Sequence, residues 1–379
     1  MKSWLTKYRM HLALLVFVVA VITLMVASFH RFIVKRRQIG LALGSFEERI
    51  LAIPDFELQH FASTIYDPDT GWDTRPLFSW SLKNSRGKDW RFSIDAIGSR
   101  TNSHPGEALI SSYGDSFTFC DEVNDDQTWQ RQLSDLVNAK VLNFGRMGYG
   151  TDQALLRLEK NLRNGIHTKI VVLAFMTEDI NRIINLYRPF LTKAPTDTLY
   201  FKPAFVQSAT AAYTLVNPLP EPPDSRDDLL RALAVARQHD YWWNATQGDM
   251  IALRTTAGMP WNNPAVLSTL EFLIERFVGL SRENDFTPVL LLIPYPSELE
   301  FHAAGTTGYY GSFVNSLNQE YSHGPLIIVD MMKQPFEETK FNMIPYPEGP
   351  SHASEYGNRV IANAIYSALK ASGALDAHR

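Results

Sequence analysis

Short apolar runs alternate with helical patterns over most of the chain beyond residue 105, within a sequence of 379 residues. The runs are short and rich in β-branched and aliphatic side chains, which is typical of buried strands. Because helical patterns lie between most of them, the sequence predicts an α/β domain with a doubly wound, mostly parallel five-stranded sheet. The five predicted strands are residues 107–113, 139–144, 169–175, 288–293 and 325–330.

A long insertion separates the third predicted strand from the fourth. The gap exceeds a hundred residues, which is far longer than an ordinary crossover between parallel strands. It contains a proline-rich loop at 218–223 and then a helical pattern at 224–239. We expect a domain at 106–379 with an insertion at about 185–285, which forms either a lid or substrate wall or structural filler.

The N-terminal region carries a separate apolar segment. Leu12 to Phe29 is 18 consecutive residues without charge, the lower limit for a membrane-spanning helix. A cleaved signal peptide is the alternative, but the length of the run and the basic cluster after it favour an uncleaved anchor. The predicted organisation is a short tail at 1–11, an anchor at 12–29, and a juxtamembrane helix with a small β-rich lead-in at 30–105.

Charges around this segment say little about its orientation in the membrane. The positive-inside rule slightly favours a cytoplasmic location for the residues on the C-terminal side of the span. The basic residues are Lys2, Lys7 and Arg9 before the span and Arg31, Lys35, Arg36 and Arg37 after it.

Composition excludes several classes of function. A net charge of −4 gives no electrostatic case for a nucleic-acid partner. The single cysteine, Cys120, rules out an intrachain disulfide framework and a cysteine-cluster metal site. The histidines are scattered, and neither a His-Glu-x-x-His motif nor a glycine-rich phosphate loop is present, so we predict no metal and no cofactor.

The tetrapeptide Gly114-Asp115-Ser116-Phe117 stands at the end of the first predicted core strand. This position places the Ser116 hydroxyl at a strand-to-helix turn on the carboxyl edge of the sheet, where α/β proteins bind ligands. Ser116 is therefore a candidate nucleophile. Asp-Ser is also an ordinary helix start, and Asp115 itself suits the role of a helix cap.

Two further segments occur at ordered positions. A glycine-rich turn at 145–150 comes after the second predicted strand and includes Gly148. Near the C-terminus, His352 lies in a short loop before an apolar pattern at 359–369 that predicts the last helix.

Serine, glycine turn and histidine in this order resemble the SGNH (GDSL-like) hydrolase family, from about Gly106 to the end of the chain. The similarity is greatest to bacterial, membrane-anchored members associated with cell-envelope glycans. It implies a flavodoxin-like sheet, Ser116 as nucleophile and His352 as general base. It also implies a single-pass protein of the bacterial inner membrane with its catalytic domain in the periplasm or outside the cell.

The residue that orients the histidine departs from the family pattern. Family members place an aspartate two or three residues before the histidine, and this chain has Pro350 and Gly349 there. Glu348 is the nearest carboxylate and is the predicted orienting acid. A Ser–His dyad and a carboxylate from elsewhere, such as Asp330, are the alternatives. His104 is the one rival base, although it lacks the Asp-x-His pair that such a histidine carries in related acetyltransferases.

The oxyanion hole is the second departure. The resemblance implies backbone donors at Ser116 and Gly148, but Glu178 occupies the position where the family has an asparagine donor. Three explanations are open. Glu178 is protonated and can donate, another group (Thr177, Asn181 or Arg182) supplies the missing donor, or the activity is weak or specialised. Alternatively, Glu178 and Asp179 form a structural ion pair with Arg182. The predicted substrate-facing residues are Glu178, Asn181 and Asp115.

These residues predict a serine esterase or O-acyltransferase that acts on acyl esters of an envelope or secreted glycan. Both activities use the same residues and differ only in whether water or a hydroxyl acceptor resolves the acyl-enzyme. The rival prediction is a catalytically weakened glycan-binding or polysaccharide-assembly protein on the same fold. A lipase that works at the membrane surface is a third possibility.

Overall fold

The computed structural model describes residues 45–192, 195–208, 211–246, 260–306, 308–345, 348 and 351–377. The predicted anchor at 12–29 and the tail before it lie outside the described residues. Within the ranges given, no helix is both long enough and apolar enough to span a membrane.

Eleven strands occur in the described part of the chain, and five of them form the central sheet. They are β1 (Tyr66–Asp67), β2 (Gly71–Trp72), β3 (Ser79–Lys83), β4 (Asp89–Ser93), β5 (Ala108–Tyr113), β6 (Lys140–Asn143), β7 (Ile170–Met176), β8 (Ala204–Gln207), β9 (Tyr213–Val216), β10 (Thr287–Ile293) and β11 (Ile327–Asp330).

The α-helices of the described ranges vary from single turns to one of 21 residues. They are α1 (Phe46–Leu51), α2 (Asp55–His60), α3 (Ser116–Phe119), α4 (Trp129–Val137), α5 (Thr151–Arg163), α6 (Pro189–Thr192), α7 (Arg226–His239), α8 (Tyr241–Thr246), α9 (Pro264–Asn284), α10 (Leu299–Ala303), α11 (Gly311–Glu320), α12 (Glu338–Phe341) and α13 (Glu355–Ala371).

The central sheet is parallel throughout and has the order β6-β5-β7-β10-β11. Counted along the chain this is 2-1-3-4-5, the flavodoxin-like order of doubly wound proteins. The five predicted strands are confirmed, and so is the doubly wound α/β fold. Because the strand order reverses between β5 and β7, a ligand site is expected at their carboxyl ends.

Helices cover both faces of the sheet, which explains why β7 is buried along its whole length. Val171, Leu173 and Phe175 pack in one apolar layer with residues of α5 and α9. Val172 and Ala174 face the opposite layer, which α4 and α13 complete. This alternation is the two-residue repeat of a strand between two covered faces.

The lead-in between α2 and β5 contains two antiparallel pairs, β1–β2 and β3–β4. The β3–β4 hairpin packs on α3, the short helix that begins at Ser116. The centroid of the Phe92 ring lies 5.0 Å from that of Phe119 in this helix. Arg100, which is buried, donates to the carbonyl groups of Phe119, Cys120 and Val123. The lead-in is therefore built into the core domain at the loop that comes after the predicted nucleophile.

The insertion contributes α6–α9 and the β8–β9 hairpin to the described structure. Leu229, Ala232 and Leu233 of α7 lie in the same apolar layer as α5 and α9. Trp242 is buried, and its indole N–H donates to the carbonyl oxygen of Asn181 at 2.7 Å. This part of the insertion therefore supports the turn at the end of β7.

Candidate active site

The predicted nucleophile lies on a tight elbow between β5 and α3. Gly114 is required there, because a Cβ atom at this position would collide with the Thr118 side chain. Asp115 caps α3 and accepts hydrogen bonds from the N–H groups of Phe117, at 2.9 Å, and Thr118. Ser116 is thus the first residue of the helix, at the carboxyl edge of the sheet.

The structure brings together Ser116 and His352, although 236 positions separate them. Ser116 Oγ lies 2.9 Å from His352 Nε2, a hydrogen-bonding distance. His352 lies in the short segment before α13, and Ser354 caps that helix by accepting from the Gly357 N–H. The imidazole packs against the Phe117 ring at 5.0 Å, which holds the histidine beside the elbow.

The carboxylates next to the imidazole come from the elbow loop. Glu122 Oε2 lies 3.6 Å from His352 Nδ1 and also accepts the backbone N–H of His352 at 2.8 Å. Asp121 Oδ2 lies 3.7 Å from His352 Nε2, on the serine side of the ring. Each imidazole nitrogen therefore has one carboxylate nearby, in ion-pair contact rather than in a direct hydrogen bond.

The prediction that Glu348 orients the histidine is not supported by this geometry. Glu348 is exposed and forms no ion pair with His352 within the described part of the chain. Its backbone N–H donates to the Pro345 carbonyl oxygen at 3.0 Å, in a turn that leaves the side chain in solvent. Closeness in sequence to His352 therefore does not bring this carboxylate to the imidazole.

Glu122 was not identified from the sequence as a neighbour of His352, because its position depends on backbone conformations that cannot be predicted from the sequence pattern. Cys120 and Glu122 both adopt the left-handed conformation, with φ of 67° and 72°. Such angles are uncommon for residues other than glycine. They turn the chain back after α3 and bring the carboxylate under His352. The available signal was only a pair of acidic residues shortly after the predicted nucleophile.

Ionisation at the site depends on these contacts. Burial alone would lower the pKa of His352, but the neighbouring Glu122 and Asp121 carboxylates outweigh it and raise that pKa. Partial burial opposes ionisation of Glu122, yet its contacts with His352 and Ser85 lower its pKa to about 2. Burial raises the pKa of Asp121 to about 6. The imidazole therefore has an ionised carboxylate, Glu122, near Nδ1 and, near Nε2, a carboxyl group that ionises less readily than an ordinary aspartate.

The resemblance implies two backbone N–H groups, those of Ser116 and Gly148, as oxyanion donors. Among the described residues, the N–H groups of Ser116 and Gly148 have no hydrogen-bond partner. Gly148 has φ of 76°, a conformation that favours glycine, and Arg188 Nη1 donates to its carbonyl oxygen at 2.8 Å. The Gly148 N–H belongs to the Met147–Gly148 peptide, whose carbonyl oxygen accepts from the Trp72 indole N–H at 3.2 Å. Both N–H groups named by the resemblance are therefore without a partner in the described structure.

The residue in the family's asparagine position belongs to an ion-pair cluster. Arg182 lies 2.6 Å from Glu178, 3.0 Å from Asp179 and 3.6 Å from Asp115. Of the alternatives that the sequence left open for Glu178, this arrangement corresponds to the structural ion pair with Arg182. Asp115 is only 1% exposed, so the prediction that it faces substrate is wrong, because the helix cap holds it inside. Asn181 directs its amide to the Glu178 carbonyl oxygen at 3.1 Å.

The remaining candidates of the sequence lie elsewhere. His104 is buried, and its Nδ1 lies 2.6 Å from the Pro105 carbonyl oxygen. Asp330 accepts hydrogen bonds from the Met332 N–H and the Tyr310 hydroxyl. Neither contacts Ser116 or His352 in the described structure. The Cys120 thiol is buried, which raises its pKa to about 12 and makes it a poor nucleophile.

No protein-family model matches the chain, and no curated protein matches it. Solved structures do align with it. A protein of the G-D-S-L family from Desulfitobacterium hafniense is 13% identical, with 69% of this chain and 99% of that chain covered and a TM-score of 0.36. A lipolytic G-D-S-L family protein from Veillonella parvula is 12% identical, and the alignment covers 69% of this chain and 98% of that chain with a TM-score of 0.34. An acetyl xylan esterase from Butyrivibrio proteoclasticus is 9% identical, and the alignment covers 73% of this chain and 68% of that chain with a TM-score of 0.35.

The strand order and the elbow define the class of this fold without help from those alignments. A 2-1-3-4-5 parallel sheet carries Gly-Asp-Ser after its first strand and histidine before its last helix. The chain therefore has an SGNH/GDSL-like fold, as the sequence predicted.

Proposed function

We propose that this protein is a serine esterase or O-acyltransferase in which Ser116 is the nucleophile and His352 the general base. The observation that carries the proposal is the 2.9 Å contact between Ser116 Oγ and His352 Nε2 at the switch point of the sheet. A serine hydroxyl becomes an effective nucleophile when an adjacent imidazole accepts its proton. In this proposal the N–H groups of Ser116 and Gly148 hold the negative charge that develops on the carbonyl oxygen.

Glu122 is the proposed orienting acid. A carboxylate at Nδ1 favours the tautomer with the proton on that nitrogen, which leaves Nε2 free to accept the serine proton. The 3.6 Å separation is longer than a hydrogen bond, but catalytic contacts are often loose before substrate binds. Glu122 Oε1 in turn accepts from the N–H of Ser85, at 2.7 Å, and from its hydroxyl. Ser85 is therefore a positioning residue for the acid.

These roles define the steps of the reaction. Ser116 Oγ attacks the acyl carbon while its proton moves to His352 Nε2, and the C=O electron pair becomes the oxyanion. When the tetrahedral intermediate collapses, the ester C–O bond breaks and His352 returns the proton to the leaving alkoxide. Water or an acceptor hydroxyl then attacks the acyl-enzyme by the reverse sequence and releases Ser116.

The substrate in this proposal is an acyl ester on an envelope or secreted glycan, and the N-terminal apolar segment anchors the protein in the inner membrane. Support for both comes from the resemblance of the three motif blocks and from the uncharged run at 12–29. In this arrangement the catalytic domain lies outside the cytoplasm.

One observation favours a second candidate, a glycan-binding protein with a weakened site. Glu178 pairs with Arg182 at 2.6 Å, so this turn offers an ion pair in the position where the family has an amide donor. Loss of one oxyanion donor typically costs about 100- to 1,000-fold in rate. Such a protein would keep the fold and the cleft and lose most of its turnover.

Covalent labelling separates the two candidates. The full-length protein is treated with a fluorophosphonate probe, and the site of attachment is mapped by mass spectrometry. Stoichiometric modification of Ser116 is expected of the enzyme, with no labelling of Ser116→Ala. Ser112 is a matched control, since Ser112→Ala leaves the elbow hydroxyl in place. A protein that is folded but unlabelled at Ser116 would contradict the esterase and favour the binding protein.

A further inference from the structure

A cavity of about 510 Å³ shares its wall with the end of α3 and with the glycine turn that comes after β6. Gly148, one of the proposed oxyanion donors, forms part of its wall, and so does Phe119 at the end of the elbow helix. The rest of the wall comes largely from the lead-in and from the start of the insertion. Its position beside Gly148 suits a group attached to the ester that Ser116 would attack.

The cavity wall combines aromatic rings with charged groups. Trp72 and Tyr200 meet edge to face with ring centroids 5.0 Å apart, and Phe78 stacks on Trp80 at 5.7 Å. Trp80 is 51% exposed, so about half of this large apolar side chain is open to a ligand. A ligand that covers the Trp80 ring would remove this apolar surface from water.

Two of the three arginines in the wall form ion pairs with carboxylates that also line the cavity. Arg146 lies 2.5 Å from Asp73, and Arg188 lies 3.3 Å from Asp197. These two arginines therefore already have carboxylate partners. The third arginine of the wall, Arg75, is exposed and has no ion pair among the described residues. A single guanidinium group can donate to a neutral hydroxyl as well as to an anion, so the wall does not require a charged ligand. A long acyl chain fits poorly, because hydrocarbon packed against the ion pairs would remove their water without replacing the hydrogen bonds.

We propose that this cavity binds a sugar ring of a neutral oligosaccharide, with Trp80 as its stacking surface. A sugar ring has an apolar C–H face that suits a flat aromatic side chain, and hydroxyl groups at its edge. Paired carboxylates and guanidinium groups offer acceptors and donors for such hydroxyls without requiring charge on the ligand. Binding of a sugar ring in this cavity does not depend on the esterase assignment. Only the identification of that sugar as the one that carries the acyl ester rests on the proposed function.

Binding can be measured without catalysis. The full-length Ser116→Ala protein in detergent is titrated by calorimetry with neutral tetrasaccharides of xylose, glucose, mannose, galactose and N-acetylglucosamine. Tetragalacturonate is the anionic comparator, and dodecanoate is the acyl comparator. At least one neutral tetrasaccharide is expected to bind with a dissociation constant below about 1 mM. Adding Trp80→Ala to the same protein should weaken that binding tenfold or more.

Leu215→Ala is the matched control, because Leu215 is 47% exposed on another hairpin and does not line the cavity. It should leave the dissociation constant unchanged. The proposal is overturned if no neutral tetrasaccharide binds, if only tetragalacturonate or dodecanoate binds, or if Trp80→Ala and Leu215→Ala have equal effects. The fluorophosphonate result is independent: unlabelled Ser116 with intact binding would end the esterase assignment and leave the sugar site standing.

Discussion

At the scale of single residues, the site depends on the groups that lie behind the imidazole of His352. Two adjacent carboxylates approach it from one loop, but they face different nitrogens. In the proposed mechanism Glu122, near Nδ1, favours the tautomer that can accept the serine proton, and Asp121, near Nε2, stabilises the imidazolium ion that forms during proton transfer. The two residues are therefore expected to respond differently to neutralisation.

Glu122→Gln should lower kcat/KM for a simple acetyl ester by about 100-fold or more, because an amide can donate to Nδ1 and favour the unproductive tautomer. Glu348→Gln is the matched control and should change the rate less than about twofold, since that side chain is exposed. Steady-state kinetics with p-nitrophenyl acetate measures both. The reverse ranking of the two variants would return the orienting role to Glu348.

The pH profile gives a second readout of the same substitution. The base must be neutral to accept a proton, so the rate falls as pH drops through the pKa of His352. That pKa is raised above the ordinary 6.5, partly by Glu122. Glu122→Gln should therefore move the acid limb of the profile to lower pH. An unchanged limb would show that the imidazole does not sense this carboxylate.

At the scale of elements, the β3–β4 hairpin reaches the candidate active site through its turn. The Asn84 side chain accepts from the N–H groups of Arg86 and Lys88, both at 3.0 Å, which orders the turn. Ser85 then directs its N–H and hydroxyl at Glu122. An exposed turn far from Ser116 in the chain thus fixes the position of the proposed acid.

Ser85→Ala should reduce kcat by about tenfold, the usual effect of one lost hydrogen bond to a charged group, while the backbone N–H still holds Glu122. The acid limb of the pH profile should shift in the same direction as in Glu122→Gln. Ser85→Thr keeps the hydroxyl and should restore most of the rate. Arg86→Ala, in the same turn, should behave like the wild type; equal losses in both alanine variants would point to a disturbed hairpin instead.

At the scale of the whole molecule, a buried charge cluster joins the two strand ends that meet at the switch point. Arg182 contacts Asp115 after β5 and both Glu178 and Asp179 after β7. Burial raises the pKa of Asp115 and of Asp179, and Arg182 opposes this. The guanidinium group therefore holds together carboxylates that would otherwise repel one another inside the protein.

Arg182→Met should destabilise the protein by about 3–5 kcal/mol, because it leaves buried carboxylates without their counter-charge. The folded state of this variant binds more protons than the unfolded chain, so the loss should be greater at about pH 8 than at about pH 5. Urea denaturation followed by circular dichroism measures both. Arg163→Met, at an exposed pair with Asp69, should cost less than about 1 kcal/mol. Similar losses in the two variants would contradict a special role for the cluster.

The sequence predicted those features that depend on local pattern. All five core strands were predicted from apolar runs, and motifs at the ends of predicted elements singled out Ser116 and His352, whose side chains lie 2.9 Å apart. The contacts between segments that are distant in the chain escaped prediction. Glu122 reaches His352 only through left-handed turns at non-glycine residues, and Ser85 reaches Glu122 only through packing of the hairpin. Neither arrangement has a periodic or compositional signature.

The Arg100 side chain has a consequence for how this protein can be shortened or transplanted. Motif comparison suggests a boundary at Gly106, yet Arg100 lies before it and binds three carbonyl groups of the loop that carries Asp121 and Glu122. A fragment that starts at Gly106 would lose this clamp together with the Ser85 turn. The smallest unit worth grafting onto another protein therefore begins ahead of the β3–β4 hairpin. A chimera joined at the motif boundary would carry an elbow whose Glu122 loop has lost both its contacts with the lead-in.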